Sequence, residues 1–193
     1  AAVEAVKPGV METEIAAEAE YVMRKAGAER FGASTFVDSG PNSLCLHGAA
    51  TTRKIRSGEN VIIDLHPIVG EYSNDLARTT FCGEPSNQQK TALDTYKISQ
   101  EETFNKIKPG IKVLDVTNHF KEAASKLPYG TNWIPAATHG VGLEFEEWPH
   151  PSHYPQHLQL ELQPGMTITL GHSLLPVREL RSGFRIEDVV HIT

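Results

Sequence analysis

A chain of 193 residues with 39% hydrophobic and 22% charged residues has the length and apolar content for one full core. Its net charge of −6 argues against nucleic acid as the main partner, and no apolar run reaches the length of a membrane span or forms a signal-peptide pattern. Two cysteines, Cys45 and Cys82, are too few for a disulfide framework or a zinc cluster and read as reduced thiols of a cytoplasmic protein.

In chain order, Ala1 to Val6 reads as a helical start. Met11 to Ala28 follows as an amphipathic helix, with Ile15, Ala19, Val22, Met23 and Ala26 on its apolar side and Gly27 closing it. Strands are expected over Ser34–Val37, Asn60–His66 and Glu71–Phe81. Ser86, after Pro85, caps a long helix that runs to Lys106 and ends before Pro109-Gly110. Leu114 to Leu127 forms another helix, with Val116, Phe120, Ala123 and Ala124 on one face. Further strands are expected over Gly140–Phe145, Met166–Leu170 and Phe184–Ile192, and Trp148 to Gln163, rich in Pro, His and Gln, reads as a long loop. The order is helix then strands, twice, which predicts α+β with a largely antiparallel sheet. A start inside a helix and a stop on a strand suggest a domain cut from a longer chain.

The chain also repeats itself. Val6-Lys7-Pro8-Gly9-Val10 returns as Ile107-Lys108-Pro109-Gly110-Ile111, each time ahead of a helix. Gly58-Glu59-Asn60-Val61-Ile62-Ile63-Asp64 is echoed by Gly165-Met166-Thr167-Ile168-Thr169-Leu170-Gly171, and each half carries a His-Gly pair, His47-Gly48 and His139-Gly140. A unit this long is no solenoid repeat; it predicts two fused half-domains, about residues 1–105 and 106–193, facing one cleft. Asp64 and Gly171 should then stand on equivalent strands. Asp64 ends an apolar run, Asp75 follows a turn, and Glu187 sits among apolar strand residues, which are costly places for carboxylates without a partner.

Asp64, Asn74-Asp75-Leu76-Ala77-Arg78-Thr79, His139-Gly140-Val141-Gly142-Leu143, Pro164-Gly165-Met166 and Arg185-Ile186-Glu187-Asp188 together resemble the catalytic domain of Xaa-Pro dipeptidases. Ser39-Gly40-Pro41-Asn42 and His47 extend the resemblance over essentially the whole chain. It implies the pita-bread fold of the creatinase/methionine-aminopeptidase superfamily, two pseudo-symmetric halves of helices and antiparallel sheet, usually behind a separate N-terminal domain. It also implies one or two divalent cations (Mn, Co, Fe or Zn), with Asp64 a terminal ligand, Asp75 and Glu187 bridges, and His139 a ligand of the second ion. Catalytic roles would fall to His47, His139 and Glu187, substrate contacts to His47, His66 and Glu146, and the full-length protein would be a homodimer.

Four positions depart from that family's pattern. Gly171 stands where a fifth ligand, a Glu, is expected; Glu146 replaces a substrate-contacting His; Ala77 replaces a Thr; and His66 replaces a Gly. Strand alternation points Asp64 and His66 the same way, so His66 is a ligand candidate unless Pro67 turns the strand and leaves it lining the cleft. A lyase branch of the superfamily that acts on dimethylsulfoniopropionate is similar in having an extra ligand at this offset. His172 is a second candidate, although alternation aims it away from Gly171 unless a bulge intervenes. His150, His153 and His157 are expected at the cleft rim or in solvent. A lopsided metal pair is expected, and Gly171→Glu should restore the weak half. The function expected is a metal-dependent, metallopeptidase-like hydrolase in which an activated water attacks an amide of a small peptide. The alternatives are a non-peptide lyase or amidinohydrolase of the same superfamily, or a non-catalytic binding member.

Overall fold

The computed structural model describes residues 1–135 and 138–193. Its helices are α1 (Ala2–Ala5), α2 (Glu12–Lys25), α3 (Asn87–Phe104) and α4 (Val113–Ser125). Its strands are β1 (Arg30–Phe31), β2 (Phe36–Ser39), β3 (Asn60–Leu65), β4 (Pro67–Val69), β5 (Tyr72–Ser73) and β6 (Leu76–Phe81), then β7 (Ile134–Pro135), β8 (Thr167–Leu170), β9 (Ser173–Val177), β10 (Ser182–Phe184) and β11 (Asp188–His191). Every strand pair among the described residues is antiparallel. The central strand β3 lies between β2 and β6, with Asp64 opposite Phe36 on one side and Ala77 on the other. In the second half β8 pairs with β11, Leu170 opposite Asp188.

The sequence repeat is also a hydrogen-bond repeat. Gly9 N donates to Ile55 O and Ile55 N to Val10 O, at 2.8 and 2.9 Å; Gly110 N to Leu162 O and Leu162 N to Ile111 O do the same at 2.8 Å each. Gly58 N donates to Cys82 O at 2.7 Å, and Gly165 N to Ile192 O at 2.8 Å. Gly9, Gly110, Gly58 and Gly165 adopt φ of 87°, 87°, 83° and 93°, a left-handed backbone that favours glycine and accounts for its recurrence at these turns. The two halves meet edge to edge at matched positions, where Ala77 N donates to Glu187 O at 3.2 Å and Glu187 N to Ala77 O at 3.0 Å. Thr79 reinforces the seam, its hydroxyl donating to Arg185 O at 2.8 Å and accepting from Arg185 N at 2.9 Å.

Helix entry is handled alike in both halves. Met11 N donates to the Glu14 carboxylate at 2.8 Å and Lys112 N to the Asp115 carboxylate at 2.9 Å, satisfying an amide that the helix leaves open. Ser86 caps α3, its hydroxyl accepting from Gln89 N at 3.2 Å. Val116, Phe120, Ala123 and Ala124 of α4 are buried. On α2 the buried side is Glu12, Ile15, Ala16 and Ala19, while Val22 is exposed, so the apolar stripe is narrower than expected and ends early.

Several expected strands are cut by the site they serve. Glu71–Phe81 divides into β5 and β6 around Asn74-Asp75, and Phe184–Ile192 divides into β10 and β11 around Arg185–Glu187. Gly140–Phe145 is no strand. Gly140 and Glu147 exchange backbone bonds at 3.2 and 2.9 Å, and the chain turns back between them through Gly142. Strand β9 was not expected; it is buried along its whole length, so it carries no polar alternation to mark it.

Glu12 is a structural hub with no counterpart in the second half, where Val113 opens α4. Its buried carboxylate accepts from Ser39 N (2.8 Å), Ser39 Oγ (2.7 Å), Thr51 N (3.1 Å), Thr51 Oγ1 (2.6 Å) and Asn42 Nδ2 (3.1 Å). Glu12→Ala orphans all of these donors and should cost at least about 3 kcal/mol of unfolding free energy in urea titrations. Glu12→Gln, which keeps an acceptor oxygen, should cost clearly less.

Candidate metal centre

The fold gathers seven ionisable side chains at the seam between the halves. Asp64 and His66 leave the end of β3 on one face, and Asp75 enters from the β5–β6 turn. His66 Nε2 lies 3.4 Å from Asp64 Oδ1 and 3.6 Å from Asp75 Oδ1, and ligand atoms of the three residues all fall within 4.8 Å of one another. The His66 ring is wedged edge-on between Phe36 and Phe145, at centroid distances of 5.2 and 5.3 Å, so Pro67 does not turn it out of the cluster.

A second group of the same kind contains His139, His172 and Glu187. His139 Nδ1 donates to Gly140 O at 2.9 Å, which fixes the tautomer and leaves Nε2 as a lone pair facing inward, 3.6 Å from Asp75 Oδ2. Asp75 therefore turns one oxygen to each group. His172 reaches the cluster because the chain breaks between β8 and β9. Gly171 takes φ 97°, and Ser173 N donates back to Gly171 O at 2.7 Å, a tight turn centred on His172. That turn overrides strand alternation, and the His172 ring meets His139 edge-on at 4.7 Å.

Arg185 is the cation among these acids. It is 1% exposed, with Nη1 at 2.9 Å from Asp64 Oδ2, Nη2 paired with Glu187, and Nη1 donating to Leu46 O at 3.0 Å. It lies two residues before Glu187 in the sequence, an offset that could have marked it as a partner of that acid.

Burial and like charge dominate the electrostatics. Asp75 is pushed up to about 9 by burial and then by the Glu187 and Asp64 carboxylates. Glu187 is raised to about 7 by burial, against the pull of Arg185. His139 is lowered to about 4 and His66 is also lowered, each chiefly by burial. Asp64 Oδ1, Asp75 Oδ1, His139 Nε2 and Glu187 Oε1 are buried without a hydrogen-bond partner. Unsatisfied carboxylates and imidazoles aimed at one another are expensive without a cation between them, so the donor set fits a divalent metal.

The expected substrate group does not assemble as one. His47 Nε2 lies 3.0 Å from His172 Nε2, and His47, His172 and Glu146 converge, whereas His66 faces the carboxylates. Of the three histidines expected at the cleft rim or in solvent, His150 is buried with its ring stacked on His139 at 6.0 Å, His153 is exposed and His157 is half-buried. Gly171 offers no room for the missing Glu. A Cβ there would lie 2.0 Å from Ile186 O and 3.1 Å from Gln100 Nε2. The expectation that Gly171→Glu repairs the site is therefore corrected: the backbone has closed the place the side chain would need.

This arrangement, two mirrored half-sheets with acids and histidines at their seam, is that of a pita-bread metalloenzyme domain. The chain belongs to metallopeptidase family M24, whose model matches residues 1–193. It is 35% identical over 193 residues to the Xaa-Pro dipeptidase of Pyrococcus furiosus and 34% identical to that of Pyrococcus horikoshii, covering 100% of this chain and 54% of each relative. The chain thus spans about half the length of these curated relatives. The prolidase structure from P. furiosus superposes with a TM-score of 0.91, covering 100% of this chain and 56% of that one. The X-Pro aminopeptidase structure from Thermotoga maritima superposes at 0.90 with 29% identity, covering 99% and 53%. No helix of the described residues is long and apolar enough to cross a membrane.

Proposed function

We propose that this chain is the catalytic portion of a metal-dependent hydrolase that cleaves Xaa-Pro dipeptides or closely related small amides. The observation that carries the reading is the two adjacent buried ligand groups, Asp64–His66–Asp75 and His139–His172–Glu187, in which Asp64 Oδ1, Asp75 Oδ1, His139 Nε2 and Glu187 Oε1 have no hydrogen-bond partner among the described residues. Asp64, His66 and Asp75 would hold one divalent ion, and Asp75, His139, His172 and Glu187 a second. Such ions supply a water of lowered pKa and a polarised substrate carbonyl. Three imidazoles in the set favour zinc, cobalt or iron over magnesium-like ions. In this reading His172 takes over the ligand position left vacant by Gly171, so the second ion is better held than the sequence alone suggests.

The remaining residues have distinct tasks. Arg185 anchors Asp64 and Glu187 and offsets their repulsion. His47 and Glu146 stand at the cleft beside His172, where a shared proton can be held or passed to a leaving amine. Glu146 also favours a second reading, a non-peptide substrate with a cationic nitrogen, because a carboxylate here attracts such a group. The metal-loaded full-length protein should be assayed against a panel of Xaa-Pro dipeptides and small amidines, beside His139→Ala. Dipeptide turnover that falls at least about a hundredfold in His139→Ala is the expected result. Turnover of amidines alone would replace the peptidase reading with the second one.

A further inference from the structure

A further group of ligands lies outside the seam, on residues 146–153 where the long loop begins. We infer that Glu146, His150 and His153 form an additional divalent-cation site of zinc type on the rim of the cleft. Ligand atoms of the three residues fall within 4.8 Å of one another. His150 Nε2 lies 2.8 Å from Glu146 Oε2, and His153 Nδ1 lies 3.1 Å from the same His150 nitrogen. Ligands of a tetrahedral zinc with bonds of about 2.0 Å stand roughly 3.3 Å apart, so only small side-chain shifts would admit the ion.

Local structure presents these groups together. Pro149 and Pro151 are buried on either side of His150, and Tyr154 N donates to His150 O at 2.9 Å, closing one helical turn. In such a turn residues three apart share a side, which places His153 over His150. The two rings cross at 81° with centroids 4.3 Å apart. His153 Nδ1 is 3.2 Å from His150 Nδ1 and 3.1 Å from Nε2, and no single hydrogen bond serves both. His157 does not compete for the ion through Nδ1, because that nitrogen accepts from His150 N at 3.0 Å and holds the turn closed.

Two imidazoles and one carboxylate leave a fourth position open, the pattern of a borderline ion with room for water. His150 also stacks on His139, and Glu146 is shared with the His47 and His172 group. An ion at the rim would draw Glu146 toward the loop and fix the wall of the cleft beside His139.

The test is zinc uptake by the full-length protein, measured by equilibrium dialysis against buffered free zinc with elemental counting, for wild type, His153→Ala, His153→Cys and Asp75→Asn. His153 is exposed, so its replacement leaves the core intact. Wild type should bind one zinc more than His153→Ala at the same free zinc, with rim affinity at least about tenfold weaker in the variant. His153→Cys, which restores a zinc ligand, should recover the uptake, and Asp75→Asn should retain it while losing ions of the buried pair. Identical uptake curves for wild type and His153→Ala, with loss confined to Asp75→Asn, would overturn the rim site and leave the buried pair standing.

Discussion

Gly171→Glu is expected to unfold the domain at lower temperature and to lower its metal content, although the substitution supplies the carboxylate that the family pattern calls for. The backbone at Gly171 has φ 97°, and a Cβ there would lie 2.0 Å from the Ile186 carbonyl oxygen. Left-handed strain and overpacking against backbone each cost about 1–3 kcal/mol, so a combined loss of about 3 kcal/mol or more is expected. For a domain of this size that corresponds to a fall in Tm of roughly 10 °C. Relief would require moving the turn that aims His172 inward, and with it a ligand of the second group. Gly171→Ala separates the causes, because it adds the Cβ without the charge and should account for most of the lost stability. Calorimetry and elemental analysis decide: a Gly171→Glu protein as stable as wild type and richer in metal would show that this backbone can yield.

The same residue marks the limit of what was legible in the chain. The duplicated Pro-Gly turns, the spacing of Gly58 from Asp64 and the apolar run before Asp64 are local patterns, and each has its structural counterpart in a hydrogen bond or a buried strand. His66 was legible for the same reason, because alternation along β3 sets its face. His172 was not, because its direction depends on the sign of one φ angle at its neighbour. Strand β9 and the hub at Glu12 depend on partners distant in sequence. Arg185 lay in plain view beside Glu187, yet its bridge to Asp64 joins residues of opposite halves. That last contact follows from how the halves dock, which periodicity does not encode.

Metal-free protein should lose stability as pH rises from about 6.5 to 9, and Asp75→Asn should remove much of that loss. Asp75 and Glu187 sit at about 9 and about 7 in the folded chain, against ordinary values of 3.8 and 4.5. Both keep protons that the unfolded chain has already released, so their contribution is full at low pH and disappears as pH climbs through the folded values. His139 works in the opposite sense, being lowered from 6.5 to about 4, so its stabilisation grows between those values and is complete above them. Above about pH 6.5 buried acids set the slope, and Asp38, raised to about 8 by burial, adds to Asp75 and Glu187. Each pKa unit is worth about 1.4 kcal/mol, so between about pH 6.5 and 9 metal-free wild type should lose on the order of 3 kcal/mol more than the metal-free variant. Divalent metal inverts the comparison. Binding requires the deprotonated carboxylates, so the metal-induced rise in Tm of wild type should grow over the same pH range. At a hundredfold excess over Kd that stabilisation should reach about 2.7 kcal/mol for one seam site, and in Asp75→Asn the seam contribution should be absent while that of the rim site remains. Thermal melts of both proteins from pH 6 to 9, with chelator and with zinc, measure all four quantities. A metal-free wild type whose stability is flat across this range, or an Asp75→Asn protein that still gains from zinc at the seam, would remove Asp75 from the centre of the site.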